Sequence, residues 1–324
     1  MLERLLTDFI RTQAIHKPIV WFYTPMALEF FPRDVETAAL IYDCMDELSM
    51  FRGAPSQLQV LEKYLLKEAD LVFTGGVSLF ESKRRFHPQV YPFPSGVDLP
   101  HFAQARNLAA DFGELAAMPR PRLGYAGVID ERLDLELIDE VAAKRPAWQI
   151  VMIGPTAKIL PNSLPRRANI HYLGIKDYAE LPKYFAGWDV GIMPFALNDA
   201  TRFISPTKTP EYLSAGLPVV STAIRDVERP YGELGLAKIA HSANEFIAHS
   251  EQVMSAGMCL KWRERADEFL KSISWDSVWG GMNRLLAGVL TDVPAERPAA
   301  GNVAGAASGG SFETSMGQGR PTRV

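Results

Sequence analysis

One stretch decides the fold of this chain: Ser205-Pro-Thr-Lys-Thr-Pro-Glu-Tyr-Leu-Ser-Ala-Gly-Leu-Pro-Val-Val-Ser-Thr222. Turn residues open it, and a helix that carries Lys208 and Glu211 follows. Gly216 and Pro218 end this helix, and an apolar strand comes directly after them. A loop, a helix and a buried strand in this order are typical of α/β proteins with parallel sheets.

Lys208 and Glu211 stand three residues apart at the entrance of this helix. Residues at i and i+3 share a helix face, so the two side chains can address one ligand. The ammonium suits a phosphate and the carboxylate suits ribose hydroxyls. The alternative is an ion pair within the helix on a solvated surface. Spacing alone does not separate these two interpretations.

The residues before this helix add to the pattern: Pro194-Phe195, Asn198, Thr201 and Pro206. Together with Glu211-Tyr-Leu-Ser-Ala-Gly-Leu-Pro-Val-Val they resemble the donor-binding segment of GT-B glycosyltransferases, and in particular the retaining group called glycosyl transferases group 1 or family 4. In that family, the glutamate that opens the helix contacts the ribose of the donor, and Glu211 matches it. Many members carry a second glutamate eight positions earlier, where this chain has Phe203.

The resemblance implies a set of donor-binding residues, which together would hold a UDP- or GDP-linked sugar as a substrate, with no cofactor and no metal. The candidates are Gly127, Arg132, Ile175, Lys176, Arg202, Thr207, Lys208 and Glu211.

Two of these candidates have a second interpretation. Gly127 follows a strand, where backbone N–H groups can approach a diphosphate, but a simple turn at the strand end also explains it. Arg132 is either a diphosphate ligand or a lone surface arginine. In the family, the turn after the counterpart of Gly174 brackets the nucleobase, which makes Ile175 and Lys176 candidates for the base pocket.

Short apolar strands alternate with helices along most of the chain, which predicts an α/β protein with parallel sheets. The resemblance runs from about residue 15 to 280. It implies two Rossmann-like domains that face each other across a cleft. We expect a shortened first domain at 1–110 and a nucleotide-sugar-binding domain at 111–291, joined by a linker near 100–120. A last helix at about 274–290 would pack back on the first domain, and 292–324, rich in Pro, Ala, Gly and Ser, would be a disordered tail.

The composition limits which classes of partner the protein can bind. The 324 residues carry a net charge of −4, which argues against nucleic acid. The scattered histidines give no metal-ligand spacing, and no apolar run is long enough to span a membrane. We therefore expect a cytoplasmic protein. The spacing at 2–15 predicts an amphipathic helix that we expect to pack on its own sheet, with peripheral membrane contact through Arg4, Arg11 and Lys17 as the alternative.

Asp46 follows a predicted strand at the rim where ligands of such sheets bind. It is the candidate catalytic residue on the acceptor side, although an aspartate that caps a helix would look the same. The function that the resemblance implies is sugar transfer from a nucleotide-diphosphate sugar to a polysaccharide, lipid-linked or small-molecule acceptor. Two alternatives remain: a binding protein without catalysis, favoured by Phe203 and the short first domain, and an isomerase related to nucleotide-sugar 2-epimerases. The isomerase needs carboxylates and histidines in the cleft that the sequence does not show.

Overall fold

A computed structural model describes residues 1–256 and 260–291. Its two sheets are parallel and covered by helices, which confirms the predicted fold class. The expected disordered tail at 292–324 and one of the two cysteines, Cys259, lie outside the described residues.

The first sheet has four strands in the order β1-β2-β3-β4. The strands are β1 (Ile19–Phe22), β2 (Ala39–Cys44), β3 (Leu71–Thr74) and β4 (Val90–Pro92). Helices α2 (Gln57–Glu68) and α3 (Val77–Lys83) connect them and lie on one face. All four residues of β3 are buried, as expected for a central strand covered on both sides.

The second sheet has six parallel strands in the order β10-β9-β8-β5-β6-β7. The strands are β5 (Arg122–Ala126), β6 (Gln149–Ile153), β7 (Ile170–Gly174), β8 (Val190–Met193), β9 (Val219–Thr222) and β10 (Ala237–Ala240). The helices are α5 (Leu135–Lys144), α6 (Leu181–Ala186), α7 (Lys208–Ser214), α8 (Arg225–Val227), α9 (Ala243–Ala256) and α10 (Leu260–Lys271). The order reverses beside β5, and in open α/β sheets a ligand crevice forms at such a reversal.

Two segments connect the domains. The last helix, α11 (Trp275–Thr291), returns to the first sheet, where Val278, Met282 and Leu286 pack with buried residues of β2 and β3. The segment 100–120, expected as the linker, contains most of α4 (Leu99–Ala103) and several 3-10 turns. Its apolar residues, among them Phe102 and Leu115, belong to the core of the second domain.

The first helix, α1 (Leu2–Thr12), forms as predicted but does not pack as predicted. None of its residues is buried, and Leu2, Leu5 and Phe9 are each more than half exposed. The expectation that this helix packs on its own sheet is therefore wrong. The periodicity does predict an apolar face, but what covers that face depends on tertiary contacts that a helical pattern does not contain.

The domains also touch through α3 and α8. The carboxylate of Asp226 accepts hydrogen bonds from the backbone N–H of Ser78 at 3.0 Å and from its hydroxyl at 3.1 Å. Arg225 forms an ion pair with Glu81 on the next turn of α3. A side chain on Gly76 would overlap the Asp226 carboxylate, so the close approach here depends on a glycine.

Candidate active site

A pocket of about 240 Å³ lies between the two domains. Its walls come from the ends of β2, β3 and β4 in the first domain, and from the ends of β5 and β8 and the entrance of α7 in the second. The lining residues are Met45, Asp46, Gly75, Ser95, Tyr125, Gly127, Val128, Arg132, Phe195, Ile204, Ser205, Pro206, Thr207 and Lys208. The carboxyl ends of both parallel sheets therefore meet at one place, where ligands of such folds bind.

Lys208 and Glu211 form an ion pair at the edge of this pocket. The Lys208 Nζ lies 2.9 Å and 2.8 Å from the two carboxylate oxygens of Glu211. The pair is not on a solvated surface, because the side chains are only 24% and 11% exposed. Burial raises the pKa of Glu211, and the neighbouring Lys208 ammonium opposes this rise. The pair therefore keeps two opposite charges in a partly dry site, where their fields are weakly screened.

Asp46 and Arg132 face the pocket from opposite domains. Asp46 does not cap the adjacent 3-10 turn, Leu48–Met50, because the N-cap residue is Glu47 and no side chain caps the turn. Burial raises the pKa of Asp46, and the Arg132 charge opposes this rise. Arg132 is oriented by Asp130, whose carboxylate accepts from Nε at 3.0 Å and from a terminal nitrogen at 2.8 Å. A guanidinium fixed in this way presents its remaining donors without a large entropic cost.

Gly127 lines the pocket, but its amide is not available to a phosphate. Its N–H donates to the Ile153 carbonyl at 2.8 Å, which corrects the expectation that this amide binds the diphosphate. The amide of Val128, one residue further, makes no backbone hydrogen bond in the described part of the chain. The pattern located the turn correctly, whereas the direction of each N–H depends on backbone angles that the sequence does not specify.

Three candidates lie away from this pocket. Ile175 is 74% exposed and points outward. Lys176 bonds to Glu114 at 2.5 Å, and this bond lowers the pKa of Glu114 to about 2. Arg202 lies over the ring of Phe203 and lines a different cavity. Thr207, in contrast, lines the pocket beside Lys208.

Other residues of the site were not identified from the sequence. Ser95 and Tyr125 line the pocket, and both lie at or just beyond strand ends, so the strand-end rule could have found them. His101 stacks on Tyr178 with ring centroids 4.2 Å apart, and each ring interacts electrostatically with Glu211. No sequence signal joins these two rings, because they are 77 positions apart.

Within 1–256 and 260–291, no three His, Cys, Asp or Glu side chains are grouped so that they could hold a metal ion. No helix in these ranges combines the length and the apolar character needed to cross a bilayer.

Comparison with known proteins supports the resemblance. Residues 120–255 match the family model described as glycosyl transferases group 1. A curated relative, the putative teichuronic acid biosynthesis glycosyltransferase TuaH of Bacillus subtilis (strain 168), is 27% identical over 269 residues. The match covers 74% of this chain and 64% of that protein, so the chain spans less than two thirds of the relative's length.

Solved structures confirm the GT-B fold. Sucrose-phosphate synthase from Thermosynechococcus elongatus aligns with a TM-score of 0.61 at 19% identity, over 90% of this chain and 79% of that one. HepE from Anabaena, solved in complex with UDP, aligns with a TM-score of 0.65 at 13% identity, over 88% and 82% of the two chains. With the family match, these likenesses confirm that the second domain resembles group 1 glycosyltransferases and that the whole described chain has the GT-B fold.

Proposed function

We propose that the chain is a glycosyltransferase that moves a sugar from a nucleotide-diphosphate sugar to a glycan acceptor. One observation carries the proposal: the Lys208–Glu211 pair is partly buried and lies at a pocket that both domains build. An ion pair that served only the helix would not need this position, since exposed pairs of this spacing stabilise a helix equally well.

The chemistry of transfer explains the charges. As the bond between the sugar and the diphosphate breaks, negative charge grows on the leaving oxygen and must be stabilised. Lys208 and Arg132 are the cations that line the pocket, and the Val128 amide adds a dipole. Glu211 can accept hydrogen bonds from ribose hydroxyls while it holds Lys208 in place. At about 240 Å³ the pocket accommodates part of the donor, and the rest would extend along its open edge.

Donor, acceptor and location follow as parts of the same proposal. The HepE structure contains UDP, which makes a UDP-linked sugar the first donor to try, with a GDP-linked sugar as the second. TuaH is named for teichuronic acid biosynthesis, which favours a polysaccharide or lipid-linked acceptor. Retention of anomeric configuration is proposed from the family resemblance alone. We also propose a cytoplasmic location, with membrane contact limited to the surface.

The alternative is a protein that binds the nucleotide sugar without transferring it. Phe203 favours it, because this ring packs against the core of the first domain and offers no polar atom to a donor sugar. No histidine lines the pocket, so the isomerase alternative gains no support from the described residues.

The test is the substitution Lys208→Ala, studied by calorimetry with uridine, UDP and a UDP-sugar, and with the guanosine series. We expect UDP binding to weaken by about 2–3 kcal/mol and uridine binding to change far less, because a charge-assisted bond to phosphate is lost. Lys144→Ala, on the outer face of α5, is the matched control. Equal losses for nucleoside and nucleotide would contradict a phosphate role, and sugar transfer by the unchanged protein would exclude the binding-only alternative.

A further inference from the structure

A second and larger cavity, of about 860 Å³, lies beside the candidate donor pocket. Helices α2 and α3 form its walls in the first domain. The second domain closes one end with Arg202, Phe203 and Arg225. No step of donor binding described above uses this cavity.

The two cavities share their walls. The segment 45–50 lines the donor pocket with its first two residues and the larger cavity with later ones. In the segment 202–208 the order is opposite. Arg202 and Phe203 line the larger cavity, and the residues from Ile204 onward line the donor pocket. After β3, Gly75 lines the donor pocket and Ser78 lines the larger cavity. A molecule at this end of the larger cavity would therefore lie next to the donor.

Two of the cations in the larger cavity are paired with carboxylates. Lys83 is buried, and its Nζ lies 2.7 Å from a carboxylate oxygen of Glu47 and 2.7 Å from one of Glu62. Arg225 pairs with Glu81. These groups leave no unpaired cation, because Lys83 faces two carboxylates and Arg225 faces one.

Of the four remaining cations of the cavity, Lys67 lies 3.8 Å from Glu68. The other three, Lys63 on α2, Arg85 after α3 and Arg202 from the second domain, form no ion pair in the described part of the chain. Arg85 lies over the ring of Phe86, with 4.6 Å between the guanidinium carbon and the ring centroid. The lining as a whole holds six Lys and Arg against three Glu, on a chain with a net charge of −4. Positive charge is thus concentrated where the rest of the molecule is acidic, which attracts an anion.

We propose that the larger cavity binds the acceptor and that this acceptor carries an anionic group, a carboxylate or a phosphate, held by Arg85 and Lys63. The proposal rests on the glycosyltransferase function proposed above and names the class of its second substrate. The acceptor hydroxyl would point toward the shared wall formed by 202–208, where the donor sugar lies. Arg202 belongs to this acceptor side rather than to the donor site.

The test compares three probes that differ at one position: methyl glucoside, methyl glucuronide and methyl glucoside 6-phosphate. Their affinities are measured by ligand-observed NMR titration at low salt and at high salt. The high-salt condition, roughly 0.5 M, screens exposed charges strongly. We expect the two charged probes to bind roughly tenfold more tightly than the neutral one at low salt, and this preference to shrink at high salt. Tighter binding of the glucuronide would indicate that the acceptor is an acidic glycan. Tighter binding of the phosphate would indicate that the acceptor is phosphorylated.

Arg85→Ala should remove most of the preference and leave the affinity for methyl glucoside unchanged. Arg84→Ala is the matched control, because Arg84 is the adjacent residue, also lies over a ring, that of Phe80, and does not line the cavity. Equal affinities for all three probes, absence of any binding, or the same result for Arg85→Ala and Arg84→Ala would overturn the proposal. UDP affinity, measured in parallel, stays unchanged in Arg85→Ala, so failure of the acceptor proposal is distinguishable from failure of the donor proposal.

Discussion

Glu211 is the residue on which donor recognition depends most directly. Its carboxylate is 11% exposed and bonds with both oxygens to Lys208, so it has lone pairs left for a ribose. Glu211→Ala should weaken the binding of a nucleotide sugar by about 1–3 kcal/mol, the usual cost of losing a hydrogen bond to a charged group. Calorimetry with the nucleoside and the nucleotide sugar measures this loss.

Glu211→Gln is the control for this substitution, because it keeps the size of the side chain and removes the charge. We expect an intermediate affinity, since the amide still offers one acceptor oxygen but no longer pairs with Lys208. Affinity equal to that of the unchanged protein in both variants would remove Glu211 from the site.

The sequence predicted individual site residues with unequal success, and the reason is physical. Asp46, Arg132, Thr207 and Lys208 line one pocket, because each lies near a strand end or a helix entrance and parallel strands bring such positions together. Ile175 is close to a strand end as well, yet it points outward. Proximity follows from topology, whereas the direction of a side chain or an amide follows from local angles and packing that the pattern does not encode.

At the scale of elements, the strands were predicted best. The sequence predicts strands at 71–74 and 149–153, and these match β3 and β6 residue for residue. Both strands are buried throughout, and a strand buried on both faces reads as a nearly continuous apolar run. The strand β10 (Ala237–Ala240) was missed, since its run Ala-Lys-Ile-Ala is short and contains a lysine. The sequence predicts helical structure over 243–270, and the structure has two helices there, α9 and α10.

The exposed apolar face of α1 leads to a prediction about stability. Leu5 is 58% exposed, so Leu5→Ser should change the free energy of unfolding by no more than about 0.5 kcal/mol. Leu65→Ala in α2 is the comparison, because Leu65 is fully buried and its truncation should cost about 2–5 kcal/mol. Urea unfolding of both variants measures the difference. A large loss for Leu5→Ser would show that this face is covered in the protein as studied.

At the scale of the whole molecule, two of the contacts between the domains differ in kind. Helix α11 packs an apolar face on the first sheet, with Val278, Met282 and Leu286 in the same cluster as Ile41 and Phe73. The contact between α3 and α8 is polar and small. Apolar burial therefore supplies most of the attachment, and the polar contact fixes the position of α3 relative to the second domain. The sequence could predict the first contact from the amphipathic last helix, but not the second, which joins residues 148 positions apart.

The polar contact makes the stability of the protein depend on pH. Burial raises the pKa of Asp226 from 3.8 to about 6, and the hydrogen bonds from Ser78 and the charge of Arg225 only partly oppose this. Because the folded pKa lies above the unfolded one, the folded protein binds more protons between these values. The stabilisation from this group is therefore fully present below about pH 4 and is lost as the pH rises through 6.

Asp226→Asn isolates this effect. The amide keeps the shape of the side chain, accepts from the Ser78 N–H and carries no charge that burial would disfavour. Relative to the unchanged protein, the variant should gain on the order of 2–3 kcal/mol in free energy of unfolding between pH 4 and pH 7. Urea unfolding across this range measures the gain, with Asp34→Asn, at an exposed position of the first domain, as the control. If the free energy of unfolding changed with pH in the same way for the Asp226→Asn variant and the unchanged protein, the contact between α3 and α8 would not hold a buried carboxylate.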